Sequence, residues 1–497
     1  MNFTEGIDFL NKCERELPVN EWKIDGSHVW PLLRIDISFK LYDLSSSNNT
    51  SHCNIIAYIK SICKPLFNTL KIKLLDRQHE NAIAPADVFI MGDMERRNFL
   101  TLDGTKLDYV LDPINKVLTE NNIRVLRCEN TKGYVHIPRF TNSVIIDSSM
   151  LKLRLLSRFK SLFCRIDHNI EMSGYDELIL WCKRLNIVPF NIASLCSTIE
   201  HMHNLEKYYI EILQRVKPKV VIYTLWYAAD MMAFSSACHK CNIPVIEIQH
   251  GMAGGSGSHA AYNKWCNIPK EGYGGVPDYF WAWTEADKQA FDEWNGPHPQ
   301  AFVAGQPSYM LWGDEVFRNK YNALLNPSIV QGKKHLLVSL QFGTVLPDWL
   351  AVYINEHKQY QWWIRFHPRV DKAQTDFVKK LSNAEHIDID TPNRLPLEIL
   401  LANCVANITS HSSVVVDAVN FGIKSIVINN NGQDAYSKEI ATGNVLVALT
   451  AKEMDFAIGN IEKKTPKKDR FREKCVESLV GINTILKLLN KSVVTDR

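Results

Sequence analysis

The sequence predicts an α/β protein built as two domains, each around a largely parallel sheet. Three observations carry this. The chain has 497 residues, 46% hydrophobic and 10% aromatic, more apolar mass than one ordinary core accommodates and enough for two. From about Ala86 onward, short apolar runs of strand length alternate with helical stretches, the pattern of parallel strands joined by crossover helices. After "FVAGQPSY", where Gly305 and Pro307 break the run, the pattern starts again.

Taken in order, residues 1–80 have Trp and Pro punctuation but no clear period, as in "NEWKIDGSHVWPLLRIDISFKLYD", and read as a helical N-terminal extension. Residues 81–303 form the first Rossmann-like domain, with "ADVFIMG", "IRVLRC", "SVIIDS", "KVVIYTL", "PVIEIQHG" and "YFWAWT" as strands and "TIEHMHNLEKYYIEILQRV" as an amphipathic helix. Residues 304–450 form the second, with "KHLLVSLQFG", "YQWWIRFHP", "HIDIDTP", "VANITS" and "KSIVINN". Residues 451–497 hold the basic stretch "EKKTPKKDRFREK" and a final helix, "CVESLVGINTILKLLN".

Composition excludes some classes. With 57 Lys and Arg against 54 Asp and Glu the formal charge is +3, so no global electrostatic grip on nucleic acid is expected. The 12 cysteines show no regular framework and "MNFTEGIDFL" lacks a signal-peptide pattern, which points to the reducing cytoplasm. Cys238 and Cys241 make one Cys-x-x-Cys without a second pair at finger spacing, and read as a helix end turning into a strand. The most apolar window, "VVIYTLWYAADMMAFSSAC", contains Asp230 and reads as strand, loop and helix rather than a membrane span. Two segments, "KSICKPLFNTLKIKLLDR" and "LKLRLLSRFKSLFCR", interleave Leu and Phe with Lys and Arg. They suit either peripheral contact with the cytoplasmic face of the inner membrane or a solvated helix face.

Open α/β sheets bind ligands at the carboxyl ends of their strands, so the residues just after the apolar runs are the informative ones. In "PVIEIQHGMAGGSGSHAAY", Glu247 and Gln249 close a strand and His250 and Gly251 begin the turn, where an imidazole can act as general base or donate to a phosphate. Gly254, Gly255, Ser256 and Gly257 follow without Walker spacing, so a plain turn is the competing reading. In "WWIRFHPRV", Arg365, His367, Pro368 and Arg369 put two guanidinium groups beside an imidazole, which suits a phosphate or a solvent-facing proline turn. In "ITSHSSVVVDAVNFGIKSIVI", Thr409, Ser410, His411, Ser412 and Ser413 precede an apolar helix, as an anion site or as a routine cap. Ser412 is outside any Gly-x-Ser-x-Gly elbow, which disfavours a hydrolase triad. "LLVSLQFGTVLP" ends its strand in Gln341, Phe342, Gly343 and Thr344.

The set and order of these turns resemble the GT-B glycosyltransferases of bacterial surface-polysaccharide (O-antigen and capsule) synthesis that carry paired His-Pro and Ser-Ser motifs. These include sialyl-, polysialyl- and Kdo transferases and the CDP-glycerol polymerases. The resemblance covers mainly Val220 to Asn430, through "IQHG", "RFHPR" and "SHSSVVVDAVNFGIKSIVI", while "DGTKLDYVLDPINKVL" is similar to N-terminal halves of related transferases. It implies two facing Rossmann-like domains, a nucleotide sugar of CMP or CDP type as donor, and a glycan or lipid-linked acceptor.

By resemblance, Arg365, His367, Pro368, Ser412 and Ser413 bind the donor phosphate, with Gly343 and Thr344 beside them. His250 is then the first choice of general base, with Glu247, Asp93 and Asp103 competing; Gln249 and Gly251 fall on the acceptor side. His411 where an aromatic commonly precedes the Ser-Ser pair, and "QHGMAGGSG" instead of His-Gly-Thr, depart from the polyol-phosphate polymerases. Metal-independent transfer without a cofactor is the simpler expectation. A sugar-nucleotide epimerase of the same fold, a CDP-polyol phosphotransferase and a non-catalytic assembly protein are the alternatives.

Overall fold

The computed structural model describes residues 3–46, 83–97, 99–130, 138–147, 149–150, 152–153, 167–251, 253, 261–462 and 470–494. The first basic segment, most of the second, the glycine loop Gly254–Gly257 and most of "EKKTPKKDRFREK" lie outside the described residues. Two compact units emerge, one holding the chain as far as Ser308 and again from Leu479, the other Tyr309–Ser478. Both are α/β with a parallel central sheet, as the alternating pattern predicts.

The first unit begins with a helix, Phe3–Glu16, then β1 (Lys23–Ile24) and β2 (Ser27–His28), which join β8 (Ile170–Glu171) in a small antiparallel sheet. The next helix, Trp30–Ser46, shows why this region has no readable period: from Trp30 to Leu41 only Phe39 is exposed. A helix buried all round has no polar stripe. Arg34 in its middle is fully buried, and its Nε donates to Glu14 Oε1 at 2.7 Å. The same oxygen accepts Trp30 Nε1–H at 3.1 Å, and Glu14 Oε2 accepts the Cys266 N–H at 2.5 Å. This buried pair ties the N-terminal helices to the rest of their unit.

The main sheet uses β3 (Val88–Asp93), β6 (Val125–Asn130), β7 (Val144–Ile145), β9 (Val220–Tyr223), β10 (Val245–Ile248), β11 (Tyr279–Ala282) and β12 (Gln300–Val303). Its order is β12-β11-β10-β9-β3-β6-β7, parallel throughout. A two-stranded hairpin, β4 (Phe99–Leu100) with β5 (Lys106–Leu107), follows β3. Strands β9 and β10 are buried at every residue, hence their unbroken apolar runs. Helices Ile192–Val216 and Ala229–Lys240 cross over between strands and bury Tyr209 and Phe234 against the sheet. The chain runs one way along the sheet from β3 to β7 and the other way from β9 to β12. The reversal falls between β3 and β9, and in open α/β sheets the carboxyl ends of the strands at such a point are where ligands bind.

The second unit repeats the scheme with β13 (Lys334–Ser339), β14 (Tyr360–Arg365), β15 (Ile387–Asp388), β16 (Ala406–Thr409), β17 (Lys424–Val427) and β18 (Val445–Val447). The order β15-β14-β13-β16-β17-β18 reverses between β13 and β16. Trp362, Ile364, Leu336, Val338 and Ile408 fill its core, and a final helix spans Arg470–Val494. Among the described residues no helix is long and apolar enough to cross a membrane.

Candidate functional site

In the first unit the candidate residues lie where the neighbouring strands β3, β9 and β10 end. The turn after β9 places Leu225 at φ 67°, a conformation that L-residues avoid, and then buries Trp226 completely. Glu247, in β10, explains how that turn is held. It is fully buried, and its Oε1 accepts the Trp226 backbone N–H at 3.1 Å and the Tyr262 hydroxyl at 2.8 Å. Burial pushes the Glu247 carboxyl up to about 8, so it keeps its proton at neutral pH. A group sealed in this way holds the turn and is closed to substrate.

His250 is the half-buried residue just beyond β10, with Nε2 at 3.2 Å from the Tyr227 hydroxyl and the two ring centroids 6.0 Å apart. Burial raises the Tyr227 phenol, so it stays protonated and polar toward the imidazole. Gln249 is committed inside the protein: Oε1 accepts the Trp283 N–H at 2.6 Å and Nε2 donates to the Gly251 carbonyl at 2.8 Å. It braces the His250 turn and does not project from it. Gly251 has no positive φ, and a Cβ there would meet nothing within 4 Å among the described residues.

Asp93 closes β3 and is half-buried. Asp103 is elsewhere, in the turn between β4 and β5, where its carboxylate accepts from Thr105 N–H at 3.2 Å and from the Thr101 and Thr105 hydroxyls. Those hydroxyl bonds, Thr101 first, lower its pKa and mark it as a turn residue. Cys238 and Cys241 sit at the end of the helix before β10, and burial raises both thiols, as suits inert structural cysteines.

In the second unit three adjacent strand ends converge, because Ser339 of β13 pairs with Arg365 of β14 on one side and Thr409 of β16 on the other. Beyond β13, Gly343 takes φ 72°, which favours glycine, and its N–H donates to Asp371 Oδ2 at 2.5 Å. Thr344 is half-buried beside it.

Beyond β14, the His367 backbone N–H donates to Gln374 Oε1 at 2.9 Å and its Nδ1 accepts the Arg369 N–H at 3.0 Å. With Nδ1 an acceptor, the neutral ring carries its hydrogen on Nε2. Burial lowers the His367 pKa below its ordinary value, which favours that neutral ring. Arg365 Nη1 is committed to the carbonyls of Pro392 and Leu395, at 2.5 and 2.6 Å. Pro368 and Arg369 are exposed.

Beyond β16, Ser410 and Ser412 are buried and Ser413 is exposed. At the start of the following helix, Val414–Asn420, Ser413 makes no side-chain cap, whereas Ser412 Oγ accepts the Val414 N–H at 3.4 Å. Two residues from a distant segment shape this loop. The Tyr436 hydroxyl donates to the Ser412 carbonyl at 2.8 Å, and a Cβ on Gly432 would lie 1.9 Å from the Ser410 oxygen.

Sequence reading missed Arg96, Tyr227, Tyr262, Gln374, Gly432 and Tyr436. Of these only Arg96 carried a readable signal, as a cation directly after the strand "VFIMGD" in "MERRN". Among the described residues no three His, Cys, Asp or Glu side chains converge as a metal site.

No family model and no curated protein matches the chain. Solved structures similar to it include UDP-GlcNAc 2-epimerase from Neisseria meningitidis bound to UDP-GlcNAc, at 14% identity and TM-score 0.45, covering 80% of this chain and 99% of that one. The UDP-GlcNAc 2-epimerase from Methanocaldococcus jannaschii is similar at 13% identity and TM-score 0.45, with the same coverage of 80% and 99%. The glycotransferase of kitacinnamycin is similar at 10% identity and TM-score 0.41, covering 83% of this chain and 99% of that one.

Proposed function

We propose that the chain is a glycosyltransferase that moves a sugar from a nucleotide-activated donor, of CMP or CDP type, to a glycan or lipid-linked acceptor in surface-polysaccharide synthesis. The observation that supports it best is the convergence of Gly343, His367 and the Ser410–Ser413 loop at the reversal of the second sheet, with the Nε2–H of His367 set as a donor. Of these the His367 Nε2–H and the serine hydroxyls suit a phosphate, and the exposed Arg369 adds positive charge, whereas Gly343 holds Asp371 and Arg365 holds the loop at Pro392 and Leu395.

In this reaction the bond between the anomeric carbon and the donor phosphate oxygen breaks, and the acceptor hydroxyl oxygen bonds to that carbon. The departing phosphate gains negative charge, which His367 Nε2–H, Arg369 and the serine hydroxyls stabilise. The hydroxyl proton passes to His250, whose ring is oriented by Tyr227. No cofactor beyond the nucleotide sugar takes part in this reading, and the acceptor belongs to the first unit.

His250→Ala and His367→Ala proteins test the assignment in a transfer assay with nucleotide binding measured alongside. Loss of binding in His367→Ala, and loss of turnover with binding kept in His250→Ala, is the expected division. Full activity in both variants contradicts it, and conversion of a nucleotide sugar without any acceptor points to an epimerase.

A further inference from the structure

Two consecutive arginines leave β3, and they differ in what they meet. Arg97 is buried and committed, donating to Glu129 Oε1 at 2.8 Å and to Asp112 Oδ2 at 2.6 Å. Arg96, at the end of the single turn Met94–Arg96, is half-buried, and among the described residues its guanidinium makes no hydrogen bond or ion pair. It is near enough to Glu247, Tyr227 and Tyr262 for its charge to act on all three. Of these only Glu247 is a carboxyl. That group is sealed from solvent, engaged through Oε1 and protonated at neutral pH, so among the described residues it gives the guanidinium no counter-charge.

A half-buried cation without an anion has lost hydration for no return inside the protein. A planar guanidinium in that position matches a carboxylate or a phosphate arriving from outside. Two more polar groups stand at the same strand ends, the His250 imidazole and the Tyr227 hydroxyl, 3.2 Å apart. We propose that Arg96 is the charged group of a subsite, beside His250 and Tyr227, for an anionic group, a carboxylate or a phosphate, on the molecule that the first unit binds. Naming that molecule as the acceptor rests on the transferase reading; the subsite itself stands on the first unit alone.

Calorimetric titration of the full chain with glucuronic acid, galactose 1-phosphate and galactose tests it. The expected result is a preference of about tenfold or more for one of the two anionic probes over galactose, the scale of one charged hydrogen bond. Which anion is preferred distinguishes a carboxylated acceptor from a phosphorylated one. The preference disappears in Arg96→Met and survives in part in Arg96→Lys, with circular dichroism confirming that both fold. Equal affinity for all three probes, absence of binding to any included, overturns the proposal, and so does an Arg96→Met protein that keeps the preference. Titration of the same proteins with CMP, CDP, UDP and GDP separates the two readings. Nucleotide binding without an anion preference defeats the subsite alone, and an anion preference without nucleotide binding defeats the donor reading alone.

Discussion

The backbone N–H of Arg369 donates to Nδ1 of His367 at 3.0 Å, and this bond determines which side of the imidazole is left to a ligand. Burial lowers the ring's pKa from the ordinary 6.5, so at pH 7 it is neutral with its hydrogen on Nε2. Ring nitrogen NMR shifts should show that tautomer at pH 7 and a titration midpoint below 6.5. A midpoint above it would mean that the turn holds an imidazolium.

Glu247 makes a prediction with a definite sign. Its folded pKa, about 8, stands above the ordinary 4.5, so between those values the native state holds a proton that the unfolded chain has lost. The associated stability is complete at acid pH and declines as pH rises toward 8, by at most ~1.4 kcal/mol per pH unit. Glu247→Gln keeps the acceptor oxygen for Trp226 and Tyr262 and abolishes the ionisation. Urea unfolding at pH 5 and pH 8 should therefore show a smaller fall in stability for the variant than for the parent, and equal falls would refute the neutral carboxyl.

Gln374 is 1% exposed and holds both ends of the His-Pro turn, accepting the His367 N–H at 2.9 Å and donating to the Arg369 carbonyl at 2.9 Å. Gln374→Ala leaves both backbone groups unpaired, at a cost of about 1–3 kcal/mol. Nucleotide affinity should fall with it, since the imidazole loses its fixed direction. A variant that melts lower and binds nucleotide unchanged would show that the turn's geometry does not serve binding.

Gly432 and Gly251 form a matched pair of controls. A methyl group on Gly432 would sit 1.9 Å from the Ser410 carbonyl oxygen, whereas one on Gly251 would meet nothing within 4 Å among the described residues. Thermal melts of Gly432→Ala should show destabilisation at or beyond the upper end of the ~1–3 kcal/mol typical of overpacking. Gly251→Ala should stay within about 0.5 kcal/mol of the parent.

Much of the architecture was readable because buried parallel strands announce themselves as apolar runs such as "VVIY", and their ends as abrupt polarity. His250, Gly343, His367 and Ser412 were found at strand ends for that reason. What escaped was whatever depends on neighbours distant in sequence. Gln374 reaches back to His367, Tyr436 to Ser412 and Tyr262 to Glu247, and each pairing requires the folded chain to exist first. The opposite failure occurred at Arg365, whose guanidinium reads as a phosphate ligand in "RFHPR" but is held by two backbone carbonyls. The helix that starts at Trp30 was obscure because burial, whole or partial, of all but Phe39 from Trp30 to Leu41 erases the period that marks a surface helix.

Thermal melts of the parent and of His367→Ala with CMP, CDP, UDP and GDP test whether the second unit holds a nucleotide through His367. A cytidine nucleotide should stabilise the parent preferentially, by ~2.7 kcal/mol at a hundredfold excess over Kd, and His367→Ala should lose this gain. No stabilisation of the parent by any of the four, or an equal gain in His367→Ala, would contradict it.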